Sequence, residues 1–177
     1  MDRRLGHLII VSILILIIAG CAHAISRQNR KTALKDLTPE SILEGFETCK
    51  GRLVLMGGEI IETRNLERET LIEILQKPLS RFTGRPIEKP TYGGRFLVRY
   101  DGFKDPAVFS KGREITVAGT VVGKEVSKIG DMRYTHVVLQ DKETHLWPER
   151  IEYRYIYPPF WWDYPWWCYA RCCRDNG

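Results

Sequence analysis

The chain has 177 residues, and its 27 Lys and Arg against 22 Asp and Glu give a formal net charge of +5. This length fits one modest domain. A content of 44% hydrophobic and 28% charged residues is close to that of ordinary globular proteins, and it excludes a collagen, a largely disordered chain and a polytopic membrane protein. The positive charges are spread along the chain without a block of like charges, so they do not by themselves indicate a nucleic-acid partner.

The N-terminus has the layout of a secretion signal. Arg3 and Arg4 precede an apolar run over residues 8–19, which is short of the roughly 20 residues that span a bilayer as a helix. The run ends in Ile-Ala-Gly-Cys at 18–21, which resembles the bacterial lipoprotein signal. We therefore predict cleavage between Gly20 and Cys21 and acylation of Cys21, so that lipid rather than protein holds the chain on the membrane. An uncleaved signal anchor and a conventional signal peptide are the alternatives.

Composition divides the chain into four predicted regions. These are a lipoprotein signal peptide at 1–20, a polar and basic lipid-proximal tether at 21–36, a β-barrel domain at 37–150, and an aromatic and Cys-rich tail at 151–177. Pro39 follows a polar residue and precedes Glu40, which predicts one or two helical turns ending near Thr48.

Alternating apolar and polar residues, separated by turn residues, predict five strands. Their ranges are 52–62, 69–76, 94–100, 112–126 and 132–147. Gly57 and Gly58 lie inside the first strand, where glycine marks a bulge or a sharp bend. The predicted fold is therefore mainly β: a small OB-like Greek-key β-barrel with a short N-terminal helix and an irregular aromatic C-terminal tail.

Several segments together are similar to a known family. They are RLVLMGGEII at 52–61, TLIEILQKPLSRFTGRP at 70–86, GFKDP at 102–106 and the Leu-Trp pair at 146–147. In this order and spacing they resemble the Slp family, the starvation-inducible outer-membrane lipoproteins of Gram-negative bacteria. The resemblance implies an outer-membrane location and a role in starvation or envelope stress, and it implies no catalytic residues.

The residue types needed for catalysis do not form a recognisable motif. The sequence contains no phosphate-binding loop, no HExxH and no GxSxG. His136 and His145 are nine residues apart on one predicted strand, so we expect them on opposite faces. We predict a protein that is not an enzyme and has neither a metal nor a cofactor. In the loops, we expect Arg85 to pair with a carboxylate and Asp105 to shape its turn.

The C-terminal tail carries ten of the chain's 19 aromatic residues (5 Trp, 8 Tyr and 6 Phe) between positions 153 and 169. It can pack on the domain, lie in the membrane interface or dock another envelope protein. The candidates for membrane or partner contact are Trp161, Trp162, Trp166 and Trp167. Because disulfides form in an oxidising periplasm, we expect Cys49 to pair with one of Cys168, Cys172 and Cys173.

These features predict a non-catalytic binding or structural protein of the envelope, held on the outer membrane by lipid and facing the periplasm. Two alternatives remain at this point: a periplasmic OB-like ligand-binding module, and a redox-active accessory that uses the tail cysteines. A nucleic-acid partner is not expected. An oligonucleotide binder would need Arg95 and Arg99 to act beside Phe96 and Tyr100 on one exposed face.

Overall fold

The computed structural model describes residues 23–89 and 93–150. These residues form three short helices, named here α1 (Arg27–Thr32), α2 (Pro39–Glu44) and α3 (Phe46–Cys49), and five strands: β1 (Leu53–Asn65), β2 (Glu69–Gln76), β3 (Arg95–Asp101), β4 (Glu114–Ile129) and β5 (Met132–Leu146). The five predicted strands are therefore confirmed, with ends that shift by up to three residues. No helix in these two ranges is long and apolar enough to cross a membrane.

The five strands form a closed ring in the order β1-β2-β3-β5-β4. Strand β1 pairs antiparallel with both β2 and β4, and β3 pairs parallel with β5. The alternating pattern of β4 points Ile115, Val117 and Val121 into the ring, where they are fully buried. Ile42 of α2 reaches the same core, so the predicted N-terminal helical segment covers part of it.

The two glycines of β1 allow neighbouring chain segments to approach closely. A Cβ on Gly57 would lie 2.5 Å from the carbonyl oxygen of Ile115 and 2.8 Å from Leu79 Cδ2, and one on Gly58 would run into the carbonyl of Leu75. The bulge itself lies further along, between Ile60 and Glu62. The glycines therefore mark close backbone approach, and of the predicted bulge or sharp bend, the bulge lies three residues beyond Gly58.

Residues 23–36, for which the sequence predicts a polar tether, lie against the ring. Ser26 caps α1, and Glu143 of β5 accepts hydrogen bonds from the Ser26 amide at 2.8 Å, the Ser26 hydroxyl at 2.7 Å and Asn29 Nδ2 at 2.6 Å. Leu34 then forms a parallel bridge with Val54 of β1. Ile25 is fully buried in a small second apolar cluster with Leu55 and Ala118, outside the ring. The polar composition concealed this packing because its contacts come from distant parts of the chain.

Candidate functional site

The loop between β2 and β3 folds back on the outer face of β1. The Lys77 amide donates to the carbonyl of Gly57 at 2.9 Å, and the missing side chain of Gly57 leaves room for Leu79. A bridge between Leu79 and Pro86 closes the loop on itself, and the turn inside it ends at Gly84, whose φ of +78° favours glycine. The loop therefore has a defined shape that depends on two glycines.

The N-terminal segment meets this loop at His23. The Ala24 amide donates to the carbonyl of Thr83 at 3.3 Å, and a Cβ on Gly84 would lie 2.5 Å from His23 Cε1. The imidazole thus lies directly over the glycine. Residue 23 is two positions from the predicted acylation site at Cys21, so the loop and the start of the folded segment belong to the same end of the molecule.

A cavity of about 650 Å³ lies between the N-terminal segment and the β2–β3 loop. This volume is within the usual range of small-molecule sites. Its apolar side chains include Leu37, Leu55 and Leu79, and its neutral polar side chains are Thr38, Gln76 and Ser80. Among the described residues that line it, four are cations and one is an acid: Arg30, Lys35, Arg81 and Lys89 against Asp36. The charged side chains of the lining are therefore mostly positive, and the rest of the lining is partly apolar.

Two residues of the cavity lining, His23 and Arg30, have unusual surroundings. Burial, followed by the charges of Arg30 and Lys35, lowers the pKa of His23 below its ordinary value. The same causes disfavour the protonated imidazole. The Nε of Arg30 is buried without a hydrogen-bond partner in the described part of the chain. A negative charge in the cavity would act to raise the pKa of His23.

Two ion-pair clusters hold the β2–β3 loop on the ring. Lys77 contacts Glu59 at 2.8 Å and Glu88 at 2.6 Å. Glu114 of β4 accepts from Arg85 Nε at 2.6 Å and contacts Arg150 Nη2 at 2.7 Å.

The ion pairs of the second cluster perturb the pKa of Glu114. Burial acts to raise the pKa of Glu114, but the hydrogen bonds from Arg150 and Arg85 outweigh it and hold this pKa below its usual range. The prediction that Arg85 pairs with a carboxylate is confirmed, as is the turn role of Asp105, whose Oδ1 accepts from the Ala107 amide at 2.8 Å.

A third polar cluster lies on the outside of the ring, and the sequence did not predict it. Ser127 Oγ lies 3.3 Å from His136 Nδ1, and His136 Nε2 lies 3.5 Å from Glu73 Oε1. The same Glu73 oxygen accepts from Arg95 Nη1 at 2.8 Å. The residue types are those of a hydrolase triad, but the imidazole is 1% exposed and the carboxylate is already paired. The cluster therefore stabilises packing between strands and offers no access to a substrate.

The prediction that His136 and His145 lie on opposite faces is wrong. Lys142 is an extra residue in β5, since Ala118 pairs with Glu143 and Gly119 pairs with Asp141. This bulge reverses the alternation, and both histidines point out of the ring. About nine strand residues, or roughly 30 Å, still separate them, so they form no common site.

The residues that an oligonucleotide site would need are not available for binding. Phe96 and Tyr100 are buried inside the ring and cannot stack on bases. Arg95 and Arg99 contact Glu73 at 2.8 Å and Glu69 at 3.2 Å. Within the two described ranges, no group of three or more His, Cys, Asp or Glu could hold a metal ion.

Several predicted site residues lie outside the described residues. They are Gly20 and Cys21 of the lipoprotein signal, the four tail tryptophans Trp161, Trp162, Trp166 and Trp167, and the tail cysteines Cys168, Cys172 and Cys173. Cys49 is described, and its thiol is buried in the core. A disulfide from the tail to Cys49 stays a prediction.

Comparison with known proteins identifies the family. The model of the outer membrane lipoprotein Slp family matches residues 18–172, which is most of the chain. The chain belongs to the Slp family. It is an outer membrane lipoprotein, as the resemblance implied.

Two relatives are similar over much of the chain. One is an uncharacterized protein of Haemophilus influenzae, 33% identical over 129 residues, which are 73% of this chain and 66% of the relative. The other is the outer membrane protein Slp of Escherichia coli, 30% identical over 114 residues, which are 64% of this chain and 58% of the relative. The chain thus spans less than two thirds of the length of either relative. No solved structure matches the chain.

Proposed function

We propose that this protein is a non-catalytic binding module of the outer membrane, attached through lipid on Cys21 and facing the periplasm. The observation that carries the binding role is the cavity of about 650 Å³ beside the start of the folded chain. Cations, hydroxyls, an amide and apolar side chains line it, and this set suits a ligand held by charge and apolar contact. Family membership supports the membrane attachment.

The strand order supports an OB-like Greek-key barrel as the architecture of residues 37–150. Strands β1, β2 and β3 form a meander, β4 and β5 form a hairpin, and the parallel β3–β5 pair brings the two together. OB-folds that bind oligonucleotides use the face of strands 2 and 3 and the loops that follow strands 1 and 4. The cavity here lies at the loop between β2 and β3, which favours a different ligand class. A role in starvation or envelope stress is part of this proposal.

The attachment is tested by intact-mass spectrometry of the protein from fractionated membranes. The wild-type chain should begin at Cys21 with three acyl chains and occur in the outer-membrane fraction. The Cys21→Ala variant should keep its first 20 residues and stay out of that fraction. An unprocessed wild-type mass in the inner membrane would overturn the proposal, because residues 5–24 would then act as a signal anchor.

A further inference from the structure

The four cations that line the cavity have no acidic partner among the described residues, whereas several other arginines of the domain do. Arg85, Arg95, Arg99 and Arg150 all lie within ion-pair distance of a glutamate. Within residues 23–89 and 93–150, none of Arg30, Lys35, Arg81 and Lys89 does so. Unpaired cations that converge on one cavity form an anion-binding surface.

The loop that forms one wall of the cavity carries an exposed aromatic residue. Phe82 is 90% exposed, and it follows Arg81 of the cavity lining. An aromatic beside a cation is the combination found where proteins enter the interfacial layer of a bilayer, because the ring enters the layer while the charge contacts the headgroups.

The cavity lies close to the predicted site of lipid attachment, which places it at the membrane surface. His23, which lines the cavity, is two residues from Cys21, a distance of at most about 7 Å along an extended chain. This step rests on the attachment through Cys21 that is proposed above. Phe103, which is 72% exposed, lies in the loop at the opposite ends of β2 and β3, roughly 25 Å away.

From these observations we propose that the cavity binds the headgroup of an anionic lipid of the bilayer in which the protein is anchored. Arg30 and Arg81 contact the phosphate, since guanidinium groups donate two parallel hydrogen bonds to phosphate oxygens. Leu37, Leu55 and Leu79 contact the glycerol and the first methylenes of the acyl chains, while Phe82 lies in the interfacial layer. The domain is thereby held at a fixed orientation on the membrane.

Native mass spectrometry of the intact lipoprotein from non-ionic detergent tests this proposal. The probes are dihexanoyl phosphatidylglycerol, which is anionic, dihexanoyl phosphatidylcholine, which is zwitterionic, and inorganic phosphate. We expect a single phosphatidylglycerol adduct and preference for it over phosphatidylcholine. The protein mass in the same spectrum reports the acylation of Cys21, so failure of the attachment and failure of the headgroup site are read separately.

Matched variants locate the site. Arg30→Ala should weaken the phosphatidylglycerol adduct at least about tenfold, because it removes the hydrogen bonds that the guanidinium donates to the phosphate. Lys31→Ala removes the same charge from an exposed neighbour on α1 that does not line the cavity, and it should leave the adduct unchanged. Equal retention of the two lipids, equal effects of the two variants, or binding of inorganic phosphate without phosphatidylglycerol would each overturn the proposal.

Discussion

Replacing Gly57 by Ala tests whether β4 and the β2–β3 loop depend on the missing side chain of Gly57 for their close approach to β1. The new Cβ would lie 2.5 Å from the Ile115 carbonyl oxygen, and it would also lie 2.8 Å from Leu79 Cδ2. Both are shorter than contacts of real Cβ atoms, which stay beyond about 3 Å because of van der Waals repulsion. Leu79 can move, but the carbonyl belongs to the β4 backbone, so the β1–β4 pair has to shift.

We expect Gly57→Ala to lower the free energy of unfolding by about 2 kcal/mol, as for overpacking of a well-packed site. With a urea dependence of about 2 kcal/mol per molar, the urea midpoint should fall by about 1 M. The assay is equilibrium urea unfolding of the acylated protein in detergent, followed by circular dichroism.

The matched control is Gly123→Ala in β4, where a Cβ would meet nothing within 4 Å. This variant should be neutral or more stable by up to about 1 kcal/mol, because alanine restricts the unfolded chain. The close approach at Gly57 is refuted if the free energy of unfolding of Gly57→Ala lies within about 0.5 kcal/mol of the wild-type value, which is the range of ordinary surface substitutions.

Three further predictions concern charge and thiol chemistry. Glu114→Gln should cost about 1–2 kcal/mol by weakening the contacts with Arg85 and Arg150. The pKa of Glu114 is lowered in the fold, so ionised Glu114 stabilises the folded state fully above the ordinary carboxyl pKa. This stabilisation is lost as pH falls through the lowered pKa, and the urea midpoints of wild type and variant should therefore converge in acid. His23 should titrate below its ordinary pKa in an NMR experiment, and phosphatidylglycerol should raise that pKa; an unchanged value would count against headgroup binding beside it. Cys49 should resist alkylation after unfolding unless a reductant is present, and labelling without reductant would rule out the predicted disulfide.

The strands could be predicted because their signal is local. In β4, Ile115 and Val117 alternate with Glu114 and Thr116, and a period of two is enough to assign both the strand and its inward face. The closed ring of five strands follows from such segments together with the turns between them.

What could not be predicted depends on contacts between distant residues. The bulge at Lys142 has no local signature, and it alone reverses the orientation expected for His145. The polar composition of residues 23–36 suggested a tether. Its polar groups bind Glu143, a partner more than a hundred residues away that no local pattern reveals. The cavity combines that segment with a long loop, so its cations share no motif. The features of the sequence that could have indicated it are the long segment between β2 and β3 and the glycines of β1.

The most direct test of membrane orientation is site-specific photo-crosslinking in intact cells. Benzoylphenylalanine replaces either Phe82 or Phe103, and mass spectrometry identifies the adducts after irradiation. If the cavity end faces the bilayer, position 82 should crosslink to phospholipid and position 103 should not. Phospholipid adducts at position 103, or their absence at position 82, would contradict the account.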